Sequence, residues 1–354
     1  MAKFSIVTAL IALSSLVSAQ CGSGTPDARV TGSGSSFTAT RGSTSVYTGS
    51  DYRAAIQAAL DSISSGQRVS VIASGSIGAG TITISTGKIF EGCGTINAAL
   101  RAPRGAIESF NTADVQIPYL TMTGNPYFGL RFYGTRGLTL GQITMNLSGG
   151  IGIRFDRDQA ANTNVRMDTI RVTGAGSHAV ETWNIDGLTI NSVIARDCGE
   201  SGLLLQATTN ARVGLVDGNN VGTGTGYGTL RFANRNGRLP SGAYTNNVVV
   251  DRVVSRGGGR GVFCVSESGG ATITTVDLAN NGNNAILIEN CYGITIRGGT
   301  VNGGGPVRLA ARTEFANNRD HSITLRVDGT TVVEDPCGVN IRWTLTGNGA
   351  RNIC

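Results

Sequence analysis

The feature that most constrains this chain is a degenerate repeat of about two dozen residues. Each unit opens on a small residue and runs into a short apolar-rich segment. The units are Gly129–Tyr133, Gly152–Asp156, Ala179–Trp183, Gly202–Gln206, Thr229–Ala233, Gly261–Val265, Ala285–Glu289 and Pro306–Ala310. Successive openings lie 23, 27, 23, 27, 32, 24 and 21 residues apart. A second segment of alternating β-branched residues follows inside most units, as in Val165–Val172 and Gly187–Ile190. Gly, Asn and Asp fill the gaps, and these residues tolerate the left-handed backbone of tight turns. Short strands recurring in one order at one period predict a coil whose turns stack. Alternate side chains then enter a dry interior and the others face water. An antiparallel sandwich also uses short strands and is the rival architecture, but it does not require one motif at one period.

A solenoid needs its end covered, because an open end exposes apolar interior and strand edges. Ser50–Ile63 reads as a helix suited to this task. Ser50 or Asp51 is placed to cap it. Ala55, Ile56, Ala59, Leu60 and Ile63 form one apolar stripe. The fold class expected is therefore all-β: a single-domain right-handed parallel β-helix with a short N-terminal capping helix. Its organisation reads as a signal peptide over 1–19, a Gly/Ser-rich segment over 20–49, the β-helix over 50–335 and a C-terminal tail over 336–354. An Asp-x-x-Ala-Ala-Ile-Gln-Ala-Ala-Leu helix followed by Gly- and Asn-rich coils resembles the pectate-lyase-like parallel β-helix superfamily. That resemblance spans roughly residues 50 to 335 and implies the fold. The superfamily also holds lyases, hydrolases, epimerases, tailspikes and adhesins, so the fold alone does not choose among activities.

The N-terminus bears on the compartment. Lys3 precedes a short apolar run, Ser5 to Val17, and Val17-Ser18-Ala19 offers small residues for cleavage. The run is too short to span a bilayer and no second one follows, so the expectation is a secreted, extracellular protein with no membrane contact. Seven cysteines remain after such cleavage, leaving at least one without an intramolecular partner. Cys337 with Cys354 would staple the tail. Cys264, inside an apolar run, reads as a buried small side chain. Asn146-Leu147-Ser148 is a glycosylation sequon, which makes a glycoprotein an expectation. The formal charge is +6, carried almost wholly by arginine, since Lys3 and Lys88 are the only lysines. A basic extracellular chain favours anionic partners. Nucleic acid is excluded as the preferred one, because stacking modules and basic clusters are missing. An acidic polysaccharide fits better, acted on by a monomer.

Aligning the units stacks their third positions into one row: Arg131, Arg154, Glu181, Leu204, Arg231, Phe263, Leu287 and Arg308. The fifth positions give Tyr133, Asp156, Trp183, Gln206, Ala233, Val265, Glu289 and Ala310. Charged, aromatic and amide side chains concentrate between 131 and 235, while the later row is apolar. The site is therefore placed on the earlier coils. Arg131, Arg154 and Arg231 could hold uronate carboxylates through paired donors. Tyr133 and Trp183 could stack on sugar rings. Asp156, Glu181 and Glu200 supply oxygens for acid–base work. Gln206, Asn234 and Arg235 extend the binding face. His178 has a near-neutral reference pKa suited to proton transfer. The bland alternative is that the arginines merely pair with adjacent carboxylates, Arg154 with Glu181 for instance. His321 reads as a residue of a late surface turn.

These residues make β-elimination the leading expectation, with His178, Glu181, Arg231, Asp156 and Arg154 as the catalytic set. The superfamily resemblance implies an Arg or Lys base with Ca²⁺ or another Arg on the carboxylate. Ca²⁺ is thus the one cofactor to test for, although no motif demands it. A hydrolase using two carboxylates of the same face is the alternative, although the polygalacturonase-type motifs Asn-Thr-Asp, Asp-Asp and Gly-His-Gly are absent. A uronate epimerase would share the lyase's first step. A non-catalytic carbohydrate-binding or adhesion protein is the remaining reading.

Overall fold

A computed structural model describes residues 20–224 and 226–354. The proposed signal peptide lies outside the described residues. Two parallel sheets run along the molecule. One has twelve strands, from Ile82–Thr83 to Ala350–Asn352, and contains every repeat-opening strand. The other carries the longer second strands, such as Asn162–Thr173 and Ile185–Arg196. Each strand pairs in parallel with its counterpart one coil away, which settles the solenoid over the sandwich.

Alternation explains the core. Leu130, Phe132, Ile153, Phe155, Leu203, Leu205, Leu230 and Phe232 point inward and are fully buried. Phe132 and Phe155 touch with ring centroids 5.3 Å apart. Burying each such side chain is worth roughly 1.5–3 kcal/mol. The small residues that open the units have a steric reason. A Cβ on Gly129 would lie 2.6 Å from the Gly152 carbonyl oxygen, and one on Gly152 would lie 2.4 Å from that of Ala179. The next coil's backbone occupies the space a side chain would need.

The helix forms over Tyr52–Ser62, with Asp51 as its cap: Oδ1 accepts from the Ala54 N–H at 2.9 Å. Ala55, Ile56, Ala59 and Leu60 are buried, and Ile63 lies just beyond the helix end. Lys88 donates from Nζ to the Leu60 carbonyl at 2.7 Å, adding to the Ile63 N–H that this carbonyl accepts at the helix C-terminus. The helix does not close the end alone. Residues 28–49, read from sequence only as Gly/Ser-rich, form an antiparallel meander of Ala28–Ser33, Ser36–Arg41 and Thr44–Gly49. Its first strand joins the long sheet in parallel with Arg68–Val71. At the other end, Val339–Thr346 pairs with Arg319–Asp328, so the coil continues past residue 335.

Cys337–Cys354 is bonded, as the spacing suggests, and Cys21–Cys93 ties the N-terminal segment to the coil. Cys264 is not a simple buried side chain. It is bonded to Cys291, 27 residues and one coil further on, with the Cα atoms 6.3 Å apart. Cys198 is the unpaired thiol and is buried. His321 is not in a surface turn either. It sits in the strand Arg319–Asp328, buried, with Nδ1 accepting from the Ile294 N–H at 3.1 Å.

Candidate active-site cleft

The register places the third-position row on one outward line of the twelve-stranded sheet. Arg131 pairs with Arg154, Arg154 with Glu181, Glu181 with Leu204, Leu204 with Arg231 and Arg231 with Phe263. Glu181 and Arg231 therefore stand on one outward line, while Asp156 meets that line through its contacts with Arg131 and Arg154 and does not line the cleft.

The N-terminal part of this line is a charge ladder. Glu108 receives both Arg104 and Arg131. Arg131 also reaches Asp156 at 2.7 Å, and Arg154 bridges Asp156 and Glu181. Glu181 Oε2 takes Arg154, and Oε1 accepts from Trp183 Nε1 at 3.0 Å and Gln206 Nε2 at 2.9 Å. Asn234 Nδ2 continues to Gln206 Oε1 at 2.6 Å. For Arg131 and Arg154 the pairing alternative describes the contacts: each guanidinium is already engaged by carboxylates. The same contacts occupy Asp156 and Glu181. Ca²⁺ prefers six to eight oxygen ligands. Asp156 and Glu181, already held by guanidinium groups, do not fit that ligand set.

Tyr133 stacks on Phe110, centroids 4.1 Å apart, and Arg235 pairs with Glu267 at 3.1 Å. Neither side chain is among those lining the cleft at the end of the ladder.

A cleft of about 290 Å³ opens where the ladder ends. Arg154, Glu181 and Trp183 form one wall, Leu204 lies in the lining, and Tyr227 and Arg231 form the other wall. Arg231 differs from its neighbours. Its guanidinium carbon lies 4.3 Å from the Tyr227 ring centroid and 4.9 Å from that of Phe263. Among the described residues it forms no ion pair, and its Nε is buried without a hydrogen-bond partner. An unpaired guanidinium held between aromatic faces keeps its charge for an incoming anion.

His178 also lines the cleft, edge-on to Tyr227 with centroids 5.3 Å apart. Its Nδ1 accepts from the Ser201 N–H at 3.0 Å, which puts the neutral ring's hydrogen on Nε2, 2.9 Å from Glu200 Oε2. Both ring nitrogens are thus engaged, and the geometry suits an orienting role better than the proton abstraction expected from sequence. The His178 hydrogen bond is the main reason the Glu200 carboxyl lies below its ordinary range; Ser177 and the Arg231 charge act the same way, and burial opposes them.

Sequence reasoning missed Tyr227 and Arg157. Tyr227 precedes its strand, outside the repeated positions. Arg157 follows the unit ending at Asp156 and stands over Trp183, 5.6 Å from the ring centroid. Leu204, Ala233, Phe263, Val265, Leu287 and Ala310 form a separate buried cluster on the outward side of the sheet. Arg231 and Arg260 lie over Phe263, so this is a covered apolar floor continuing the cleft.

No protein-family model matches the sequence. No curated protein matches it. Among solved structures, the chain is similar to the Family 28 exopolygalacturonase of Yersinia enterocolitica, with TM-score 0.46 and 12% identity over 85% of this chain and 75% of that one. It is also similar to the enzymatically active domain of tailspike protein 2 of bacteriophage CBA120, with TM-score 0.39 and 13% identity over 82% of this chain and 43% of that one. The parallel pairing of successive coils itself gives the fold as the parallel β-helix that the helix-and-coil sequence implies.

Proposed function

We propose that this protein is a secreted enzyme that cleaves a uronate-containing polysaccharide by β-elimination in the cleft around Arg231. The supporting observation is the unpaired Arg231 guanidinium, set at the end of a ladder in which the other arginines are committed. A uronate carboxylate bound there would have its charge neutralised, and this favours removal of the neighbouring C5 proton. The C5–H bond breaks, the C4–C5 double bond forms, and the C4–O bond breaks with protonation of the leaving oxygen. Tyr227, whose ring lies against the same guanidinium, is the group assigned to both transfers: its oxygen takes the C5 proton as its hydroxyl proton passes to the leaving oxygen, so the phenol ends as it began. His178 positions Tyr227 and Glu200. Glu181, with Arg154, Gln206 and Asn234, shapes the opposite wall, and Trp183 with Arg157 offers a stacking face for a sugar. Three disulfides accord with an oxidising, extracellular compartment.

A hydrolase has less support here. It needs a carboxylic acid free to protonate the leaving group. Asp156 and Glu181 have their oxygens turned to arginine, tryptophan and amide donors, and Glu200 is held toward its ionised form.

The test is a panel of acidic polysaccharides incubated with purified protein. Cleavage with absorbance near ~235 nm, the signature of an unsaturated uronate, is the expected result. Arg231→Ala should lower kcat/KM at least about 100-fold, and Tyr227→Phe should lower kcat more than it raises KM. New reducing ends without that absorbance would replace the lyase reading with hydrolysis. Binding without cleavage would leave a carbohydrate-binding protein.

A further inference from the structure

Beside the cleft lies a second cavity, of about 510 Å³, whose lining includes Thr223, Gly226, Gly258, Gly259, Arg260 and Asn283. Arg260 belongs to the coil after Arg231, and its guanidinium carbon lies 4.4 Å from the Phe263 centroid. The two arginines therefore share one aromatic ring. Arg260 has no ion pair among the described residues; its Nε donates to Asn284 Oδ1 at 3.3 Å. Burial, and then the Arg231 charge, push its pKa down, but guanidinium remains protonated at any physiological pH. The glycine wall matters to the space in front of it: a Cβ on Gly226 would stand 2.8 Å from Arg260 Nη1. Among the described residues neither arginine has a carboxylate at ion-pair distance, although Glu200 and Glu289 act on them from farther off, and an anion spanning both would relieve their mutual repulsion. Arg260 pairs in register with Gly228, three residues ahead of Arg231, and the two side chains converge so that their guanidinium carbons lie 4.9 Å (Arg231) and 4.4 Å (Arg260) from the one Phe263 centroid, a separation that two neighbouring sugar units can span.

Building on the lyase reading, we propose that Arg231 and Arg260 form a tandem site for carboxylates on two consecutive sugar units, so that the substrate is a run of adjacent uronates. Arg260 is then a specificity-determining residue. A polymer that alternates uronate with neutral sugar presents a carboxylate to only one of the two cavities.

The experiment compares kcat/KM on a contiguous polyuronate with that on an alternating uronate–neutral polymer, for the wild type, Arg260→Gln and Arg260→Lys. The wild type should prefer the contiguous polymer. Arg260→Gln should reduce that preference about tenfold, chiefly through KM on the contiguous polymer, with Arg260→Lys keeping part of it. Thermal melts of all three proteins establish that each is folded, and the lysine variant carries the comparison if the glutamine variant is not. An unchanged preference in the folded variants, or a wild type that favours the alternating polymer, overturns the tandem site while leaving the lyase reading standing. Failure of the wild type to cleave either polymer removes both.

Discussion

At position 321, burial sets the chemistry. The imidazole is enclosed in the coil, and desolvation of its charged form pulls its pKa from 6.5 to about 4. The folded state thus binds this proton less readily than the unfolded chain. Stability from this source is complete above about pH 6.5, declines as pH falls through the window to 4, and is lost by roughly 3 kcal/mol at the bottom of it. Urea midpoints measured from pH 7 to 4 should fall more steeply for the wild type than for His321→Gln; parallel curves would count against this account. The same scale shows the limits of reading side chains from a sequence. His321 follows Asn318-Arg-Asp, which looks like a turn, and only the pairing of its strand with Tyr292–Ile296 reveals that it points inward. Tyr227 was hidden because its role comes from the ring stacked under Arg231, a contact across a segment with no periodic pattern. The row of Arg131, Arg154, Glu181 and Arg231 was legible because period-two alternation and small openers fix which side chains face out.

At the scale of elements, the last coil depends on its staple. Cys337–Cys354 closes a segment of sequence separation 17 around the strand Val339–Thr346, whose residues are all exposed or half-buried. Loop-closure entropy for a loop of this length is worth about 3 kcal/mol. The double variant Cys337→Ser/Cys354→Ser should therefore expose Val339–Asn352 to hydrogen exchange and proteolysis before the central coils. Uniform protection across all coils would argue against local fraying. The N-terminal meander was not foreseen because Ser36–Arg41 and Thr44–Gly49 contain few large apolar residues, so their alternation is weak. The capping helix was legible from its stripe and cap, which are short-range features.

Across the whole molecule, nearest-neighbour stacking lets a small local preference build a long binding face. Charge is distributed unevenly along it. The stretch from Arg104 to Glu181 is internally paired, whereas Arg231 and Arg260 are not. Attraction of a polyanion should thus centre on the latter pair and weaken with ionic strength. Raising salt from 50 to 500 mM is expected to lower the affinity of the wild type for polyuronate on the order of tenfold and that of Arg231→Ala/Arg260→Gln much less. Equal salt responses would place the attraction elsewhere. One covalent detail has a consequence for durability. Because Cys264 and Cys291 join successive turns, a protease that nicks the loop between them would leave two fragments still tethered. A second cut outside that loop would be needed before the spool came apart there.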